Sequence, residues 1–265
     1  MTPRRWLIVN GDDFGQSPGV NQGVIEAHEQ GIVTSASLMV RWPFAAEAAA
    51  YCRKHPSLGL GLHIDLGEWA YHDETWMPLY EVVPLHEMPT VSEEVNRQLA
   101  TFRGLVGKDP THIDSHQHVH MREPVRSVVL GITQRLALPL RGCTPEIRYC
   151  GDFHGQTAEG HPLPDAISAD ALTRILATLP VGITELGCHP GEGEDLETMY
   201  RSERAHELKA LCDPQVRAAI ATMDIELSSF GNLHRFLEFA NPTSFQETRM
   251  PRSGVRHLLP NEGNL

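Results

Sequence analysis

The sequence predicts an α/β fold, a distorted or incomplete (β/α) barrel with about seven parallel strands. Strand-like and helix-like segments alternate almost to the end of the chain, and the strand segments are short and read as buried. The length of 265 residues suits a single barrel unit, and about seven strands fit such a barrel better than an open doubly wound sheet.

Taken in order, residues 6–10 read as a short buried strand. Ser17-Pro18 supplies an N-cap and a proline at the first helical position, opening a helix that turns Val20, Val24 and Ile25 inward and stops at Gly31. Residues 34–40 form a strand, 43–55 an alanine-rich helix and 58–64 a further strand. An insert from 66 to 90, rich in Trp, Pro and His, reads as irregular, and Ser92 with Glu94 opens a helix through Val106. Residues 111–114 are the fourth strand, 124–136 a helix, and 140–142 a short fifth strand. A second long loop covers 143–167. Ser168 caps a helix to Leu179, 183–188 is a strand, 200–211 is helical, and Asp213-Pro214 restarts a helix before a last strand at 225–230. Residues 1–240 are expected to form one domain, with a polar tail at 241–265 outside the core. Loops this long within a compact domain point to functional segments.

Composition narrows the function. A net charge of −12 opposes binding to nucleic acid or to an anionic membrane surface. No apolar stretch reaches the ~18–20 residues that cross a bilayer, and the basic start runs into Gly11-Asp12-Asp13 too early for a signal-peptide core. Five cysteines without a C-x-x-C pair argue for free thiols in a reducing, cytoplasmic compartment. The first β–α turn, Asn10 to Gly15, carries neither nucleotide-binding fingerprint.

The chemistry collects where strands end, the rim at which α/β barrels place active sites. Asp12 and Asp13 follow the first strand, His63 and Asp65 end the third, Asp114, His116 and His118 follow the fourth, and His189 follows the sixth. The nine-residue run His112-Ile113-Asp114-Ser115-His116-Gln117-His118-Val119-His120 alone carries four imidazoles and a carboxylate, which packing gives no reason to assemble. His28, His55, His72, His86, His161, His206, His234 and His257 lack rim placement and read as solvated or structural. Histidine and aspartate without cysteine fit a hydrolytic divalent metal, Zn2+ or Mg2+ foremost, with Mn2+ and Co2+ open. Two imidazoles and one carboxylate would leave positions open to water. The second aspartate can take a proton from that water, and a protonated histidine opposite can deliver one to a leaving nitrogen.

These segments resemble the YdjC/ChbG-like carbohydrate deacetylase family. The resemblance lies in Val9-Asn10-Gly11-Asp12-Asp13-Phe14-Gly15, Gly31-Ile32-Val33-Thr34-Ser35, Gly61-Leu62-His63, the run from Thr111 to His120, and Cys188-His189-Pro190-Gly191, in family order. Gly11 stands where the family usually has alanine. The resemblance implies a distorted (β/α) barrel that binds one divalent metal and deacetylates N-acetylated sugars. It maps the metal ligands onto Asp13, His63 and His116, the base onto Asp12 and the general acid onto His189, with Asp114 and His118 as support that orients the ligands. It also favours a homodimer and a small acetylated saccharide or glycolipid as substrate. Trp69, Tyr71, Trp76, Tyr80 and Phe153 in the two long loops are candidates to stack on sugar faces.

Two other classes compete. The His112-x-Asp114-x-His116-x-His118 spacing suits a phosphoesterase or amidohydrolase-type hydrolase, although an H-x-H pair normally ends the first strand of the latter, where Asp12-Asp13 stand here. A non-catalytic metal- or sugar-binding module would need no acid or base beside the ion.

Overall fold

Alternate residues of the strands face two different surroundings, and that parity builds the molecule. The computed structural model describes residues 4–233. Its elements are β1 (Arg5–Phe14), α1 (Pro18–Glu29), β2 (Ser35–Leu38), α2 (Ala45–Lys54), β3 (Gly59–Ile64), β4 (Gly67–His72), β5 (Thr75–Glu81), α3 (Met88–Val106), β6 (Ile113–Ser115), α4 (Val125–Leu136), β7 (Ile147–Cys150), α5 (Ala169–Thr178), β8 (Gly182–Cys188), α6 (Ser202–Leu211), α7 (Pro214–Thr222) and β9 (Ile225–Ser228). Leu7 and Val9 of β1 belong to the large core shared with the helices, whereas Trp6 and Ile8 join Ile147, Ile183 and Phe230 in a separate apolar cluster. The first set lies under the helical shell; the second plugs the inside of the curled sheet.

Seven strands form one parallel sheet in the order β6-β3-β2-β1-β8-β7, with β9 paired to the start of β1 at Arg5–Ile8. One side chain shows how far the sheet curls. Arg141 contacts Asp12 on β1, Asp114 on β6 and Glu185 on β8, strands spread across most of the sheet order. Among the described residues the edge strands β6 and β7 do not pair with each other, so the curl is a half-barrel rather than a closed one. The α/β class and the incomplete barrel of about seven parallel strands therefore stand.

Local expectations need four corrections. The insert at 66–90 is not irregular: β4 and β5 form an antiparallel hairpin turning at Asp73 and Glu74, both at positive φ. β5 is exposed almost throughout, and β4 grades from buried Gly67 and Glu68 to exposed His72 without alternating, so no buried-face alternation marked them. The following helix starts at Met88, with proline in its first turn, and Ser92 lies inside it. The 140–142 segment is reduced to a single bridge between Leu140 and Ile113, because Gly142 turns the chain at φ 65°. A true strand, β7, instead pairs with β8 inside what reads as the second long loop.

Ser17 caps α1 by accepting from the Val20 amide, as its sequence predicts. The expected tail at 241–265, with His234 and His257, lies outside the described residues. No helix among the described residues is long and apolar enough to cross a membrane.

Candidate active site

Inward parity carries polar groups up the inside of the half-barrel, above the apolar plug. On β1 the inward series runs Trp6, Ile8, Asn10, Asp12, and Asn10 Nδ2 donates to Asp12 Oδ1 at 2.8 Å. A regular strand would send Asp13 to the opposite face. Asp13 instead has φ 63°, where the β1–β2 register breaks, and its carboxylate returns to the barrel mouth. The same parity operates on β3, where Gly59, Gly61 and His63 alternate with the outward Leu60, Leu62 and Ile64. A side chain on Gly61 would collide with the His112 ring, so glycine there makes room for the histidine.

The two aspartates meet different partners. Asp13 Oδ1 lies 3.2 Å from His63 Nε2 and 3.0 Å from His116 Nδ1, while its Oδ2 accepts from Arg204 at 2.6 Å. Burial would raise the Asp13 carboxyl, but His116, Arg204 and the hydrogen bonds from the two imidazoles outweigh it and hold it well below the usual range. Asp12 turns instead to Arg141, which grips it at 2.5 and 2.7 Å, and this guanidinium keeps Asp12 low against the opposing effect of burial.

His63 Nδ1 donates to Asp114 Oδ1 at 2.8 Å, which fixes the ring and leaves Nε2 toward Asp13. Asp114 is itself held by Ser37 Oγ at 2.6 Å and Arg141 at 2.8 Å. The structure thus brings Asp13, His63 and His116 together, with one potential ligand atom from each within 4.8 Å of the others. Burial would lower both imidazoles, yet Asp114 chiefly raises His63 to about 9, and Asp13 chiefly raises His116 well above its ordinary value. The field at this point favours positive charge.

His118 takes another direction. It stands at φ 54° with Nε2 3.4 Å from Tyr149 Oη, and no contact joins it to Asp13, His63 or His116 among the described residues. Burial first, then Arg141, pushes it down to about 3. His112 stacks on Phe230 and is pushed down to about 4, mainly by burial, so it is a neutral packing ring. His120 spans Ser115 Oγ at 2.6 Å and the Arg141 carbonyl at 3.0 Å, and so props the segment that carries Arg141. Asp65, also on the rim, accepts from Arg41, Trp42 and Tyr80 and anchors the base of the hairpin.

Across the mouth, His189 Nε2 lies 3.9 Å from Asp12 Oδ2. Its backbone amide donates to Glu207, which also accepts from Tyr200 Oη. Asp12, His189 and Tyr200 border a cavity of about 870 Å3, walled by the hairpin through Trp69 and Trp76 and by the 151–160 loop. Of the aromatic candidates, Trp69, Trp76 and Phe153 line this cavity, Phe153 from an almost fully buried position, whereas Tyr80 is spent on Asp65 and Tyr71 meets the Trp76 ring edge-on at 5.6 Å.

Sequence reasoning missed Glu68, Arg141, Glu185, Arg204 and Glu207. Glu68 reaches from the hairpin base to within 3.5 Å of His116 Nε2, a buried nitrogen with no hydrogen-bond partner. Arg141 directly follows the residue bridged to β6, and that rim position was its only available signal.

Arg141 offers one positive charge to three buried carboxylates, and Glu185 is the least compensated. Burial, only partly offset by Arg141, pushes it up to about 7. A carboxyl raised above its ordinary value stabilises the fold fully only below that value, and the contribution is lost as pH rises through about 7. Glu185→Gln is therefore expected to flatten the decline of Tm between about pH 5 and pH 8. A slope as steep as that of the unaltered protein would locate the titration elsewhere.

Comparison with known proteins gives a consistent result. The sequence model of the YdjC-like protein family matches residues 6–222. A chitooligosaccharide deacetylase of Serratia marcescens is 34% identical over 257 residues, covering 86% of this chain and 98% of that protein. A carbohydrate deacetylase of Geobacillus stearothermophilus is 32% identical over 262 residues, covering 87% and 99%. The chain is also similar to a crystal structure from Enterococcus faecalis, provisionally named a cellobiose-phosphate cleavage protein, with a TM-score of 0.68, 25% identity, and coverage of 87% and 99%. The fold alone is shared with a family 4 carbohydrate esterase from Streptomyces lividans solved with acetate, at a TM-score of 0.51, 14% identity, and coverage of 85% and 91%. Matched along most of its length by the family and by these relatives, the chain belongs to the YdjC-like protein family.

Proposed function

We propose that this chain is a divalent-metal-dependent deacetylase that hydrolyses the N-acetyl group of an amino sugar or short N-acetylated oligosaccharide and releases acetate. The observation that carries the reading is the divergence of adjacent aspartates around one cavity: Asp13 faces two imidazoles, and Asp12 faces Arg141 and His189. The activities of the Serratia and Geobacillus relatives support it.

Asp13, His63 and His116 would hold the metal. Their donor set is that of a hydrolytic site, and the carboxylates that raise both imidazoles create the field a cation needs. When bound, the ion would polarise the acetyl carbonyl and acidify water, with Zn2+ or Mg2+ the leading candidates and Mn2+ or Co2+ also suited. Arg204 ties down Asp13 Oδ2 and leaves Oδ1 toward the imidazoles. Asp12, kept ionised by Arg141, would accept the proton of the attacking water. His189 Nε2 would deliver a proton to the departing sugar nitrogen, with Glu207 fixing the backbone that carries it. Asp114 orients His63, and His118 supports the wall beside Tyr149. Trp69 and Trp76 would offer faces to the sugar rings.

In the same reading residues 1–240 are one catalytic unit, cytoplasmic and a homodimer, acting on a small acetylated saccharide or glycolipid. An acetate-release screen over N-acetylglucosamine oligomers, other acetylated glycans and glycolipid precursors tests the proposal. One acetate per new amine is expected, abolished by a chelator and restored by a divalent ion. No acetate from any member of the panel with metal present would sink it.

A further inference from the structure

We propose that His154, His189 and Glu207 form a second metal site, at which Zn2+ beyond the first equivalent binds and switches the enzyme off. The inhibitory part of this inference rests on the deacetylase reading; the binding part does not.

One potential ligand atom from each of the three residues lies within 4.8 Å of the others. His189 Nδ1 is buried with no hydrogen-bond partner, and it stands 3.7 Å from Glu207 Oε1. That gap is too long for a hydrogen bond. It is close to the roughly 3.3–3.5 Å expected between two ligand atoms on one tetrahedral Zn2+ with bonds of about 2.0–2.1 Å. Glu207 already accepts from Tyr200 Oη and from the His189 amide, but each carboxylate oxygen keeps a further lone pair. His154 completes the set from the facing loop. Its ring stacks on Tyr200 at 4.7 Å and meets the His189 ring at 5.8 Å, and no hydrogen bond engages either of its nitrogens among the described residues.

Access from the cavity makes this cluster a place for an ion rather than a packing accident. His154 and His189 both line the large cavity, so an ion arriving from solvent has a path and an open fourth position. Two imidazoles and one carboxylate suit a borderline ion such as Zn2+.

The consequence for the reaction follows from proton bookkeeping. An ion on Nδ1 occupies the lone pair that a proton holds in the cationic acid. His189 then keeps one proton on Nε2, the nitrogen that faces Asp12, and could release it only as an imidazolate. The acid is therefore disabled while the ion at Asp13, His63 and His116 stays in place.

The test is a Zn2+ titration of the full chain by equilibrium dialysis and calorimetry, repeated on His154→Asn, His154→Gln and Glu207→Gln. Two equivalents are expected in the unaltered protein, the second weaker, and only the first in each variant that keeps its native circular dichroism. With substrate, the rate at excess Zn2+ should fall about a hundredfold below the rate at one equivalent, the lower end of what a general acid supplies. In His154→Asn that ratio should return to near one, each protein serving as its own reference. A single equivalent in the unaltered protein, or a second one undiminished in all three variants, overturns the site. If no substrate is turned over, the deacetylase reading fails while the binding stoichiometry still decides the site.

Discussion

His116→Ala is expected to abolish tight metal binding and to reduce turnover below about a thousandth, whereas Asp12→Asn keeps the metal and loses about 10²–10⁴ in turnover. The asymmetry comes from what each side chain touches. His116 Nδ1 is 3.0 Å from Asp13 Oδ1 and contributes one of only two imidazoles in the cluster, so its loss leaves too few donors. Asp12 points away from His116 into the Arg141 fork, and asparagine there can still accept from the guanidinium. It cannot take up a proton. Metal content after dialysis into metal-free buffer, measured on the samples used for acetate release, separates the two effects. Equal loss of metal from both variants would overturn the division between base and ligand, and with it the assignment of Asp12 and Asp13.

Much of the candidate site was legible at the ends of the strands, and strand parity explains why the residues there converge. Asn10 and Asp12, Ser35 and Ser37, Gly61 and His63, and the His112, Asp114, His116 series are each spaced by two. Parallel strands curled into a half-barrel send every such series to the same interior, so polar residues at that spacing predict one shared pocket. Asp13 breaks the parity and is still at the mouth, through a positive φ that sequence alone does not announce. The barrel class followed from the same strands, since segments such as 183–188 are apolar on the face that meets the helices.

What escaped was charge buried from outside those strands. Residues 200–211 read simply as helical, yet Glu203, Arg204 and Glu207 of α6 are all buried, two of them against the site. Charged side chains are almost never buried unless paired, and their partners lie far away in the chain, so no local pattern could reveal them. The hairpin was missed for the opposite reason. β5 has no buried residue and β4 does not alternate between buried and exposed, and β-structure without an alternating buried face leaves no period to read.

Arg141→Met should be the most destabilising single change in the molecule, at about 3–5 kcal/mol and about 6–20 °C in Tm. The guanidinium bridges Asp12, Asp114 and Glu185 inside the half-barrel, with its side chain almost wholly buried. Methionine fills similar space but leaves three carboxylates facing one another without a counter-charge. Asp12 and Asp114 are held below their ordinary value of 3.8 chiefly because Arg141 outweighs their burial, so their stabilising contribution is present above that value and is lost as pH falls through the depressed ones. Without the arginine, burial would raise both, and the cost of keeping them ionised or of protonating them appears at neutral pH. The gap in Tm between the two proteins should therefore be widest near pH 7 and shrink toward pH 4. A gap independent of pH would mean that Arg141 acts by packing alone. Arg141→Lys separates charge from geometry: it keeps the counter-charge and recovers most of the Tm, but it cannot grip Asp12 through two nitrogens. Turnover in that variant should remain reduced although the fold is restored, because the proposed base would no longer be held in one orientation against the acetyl group.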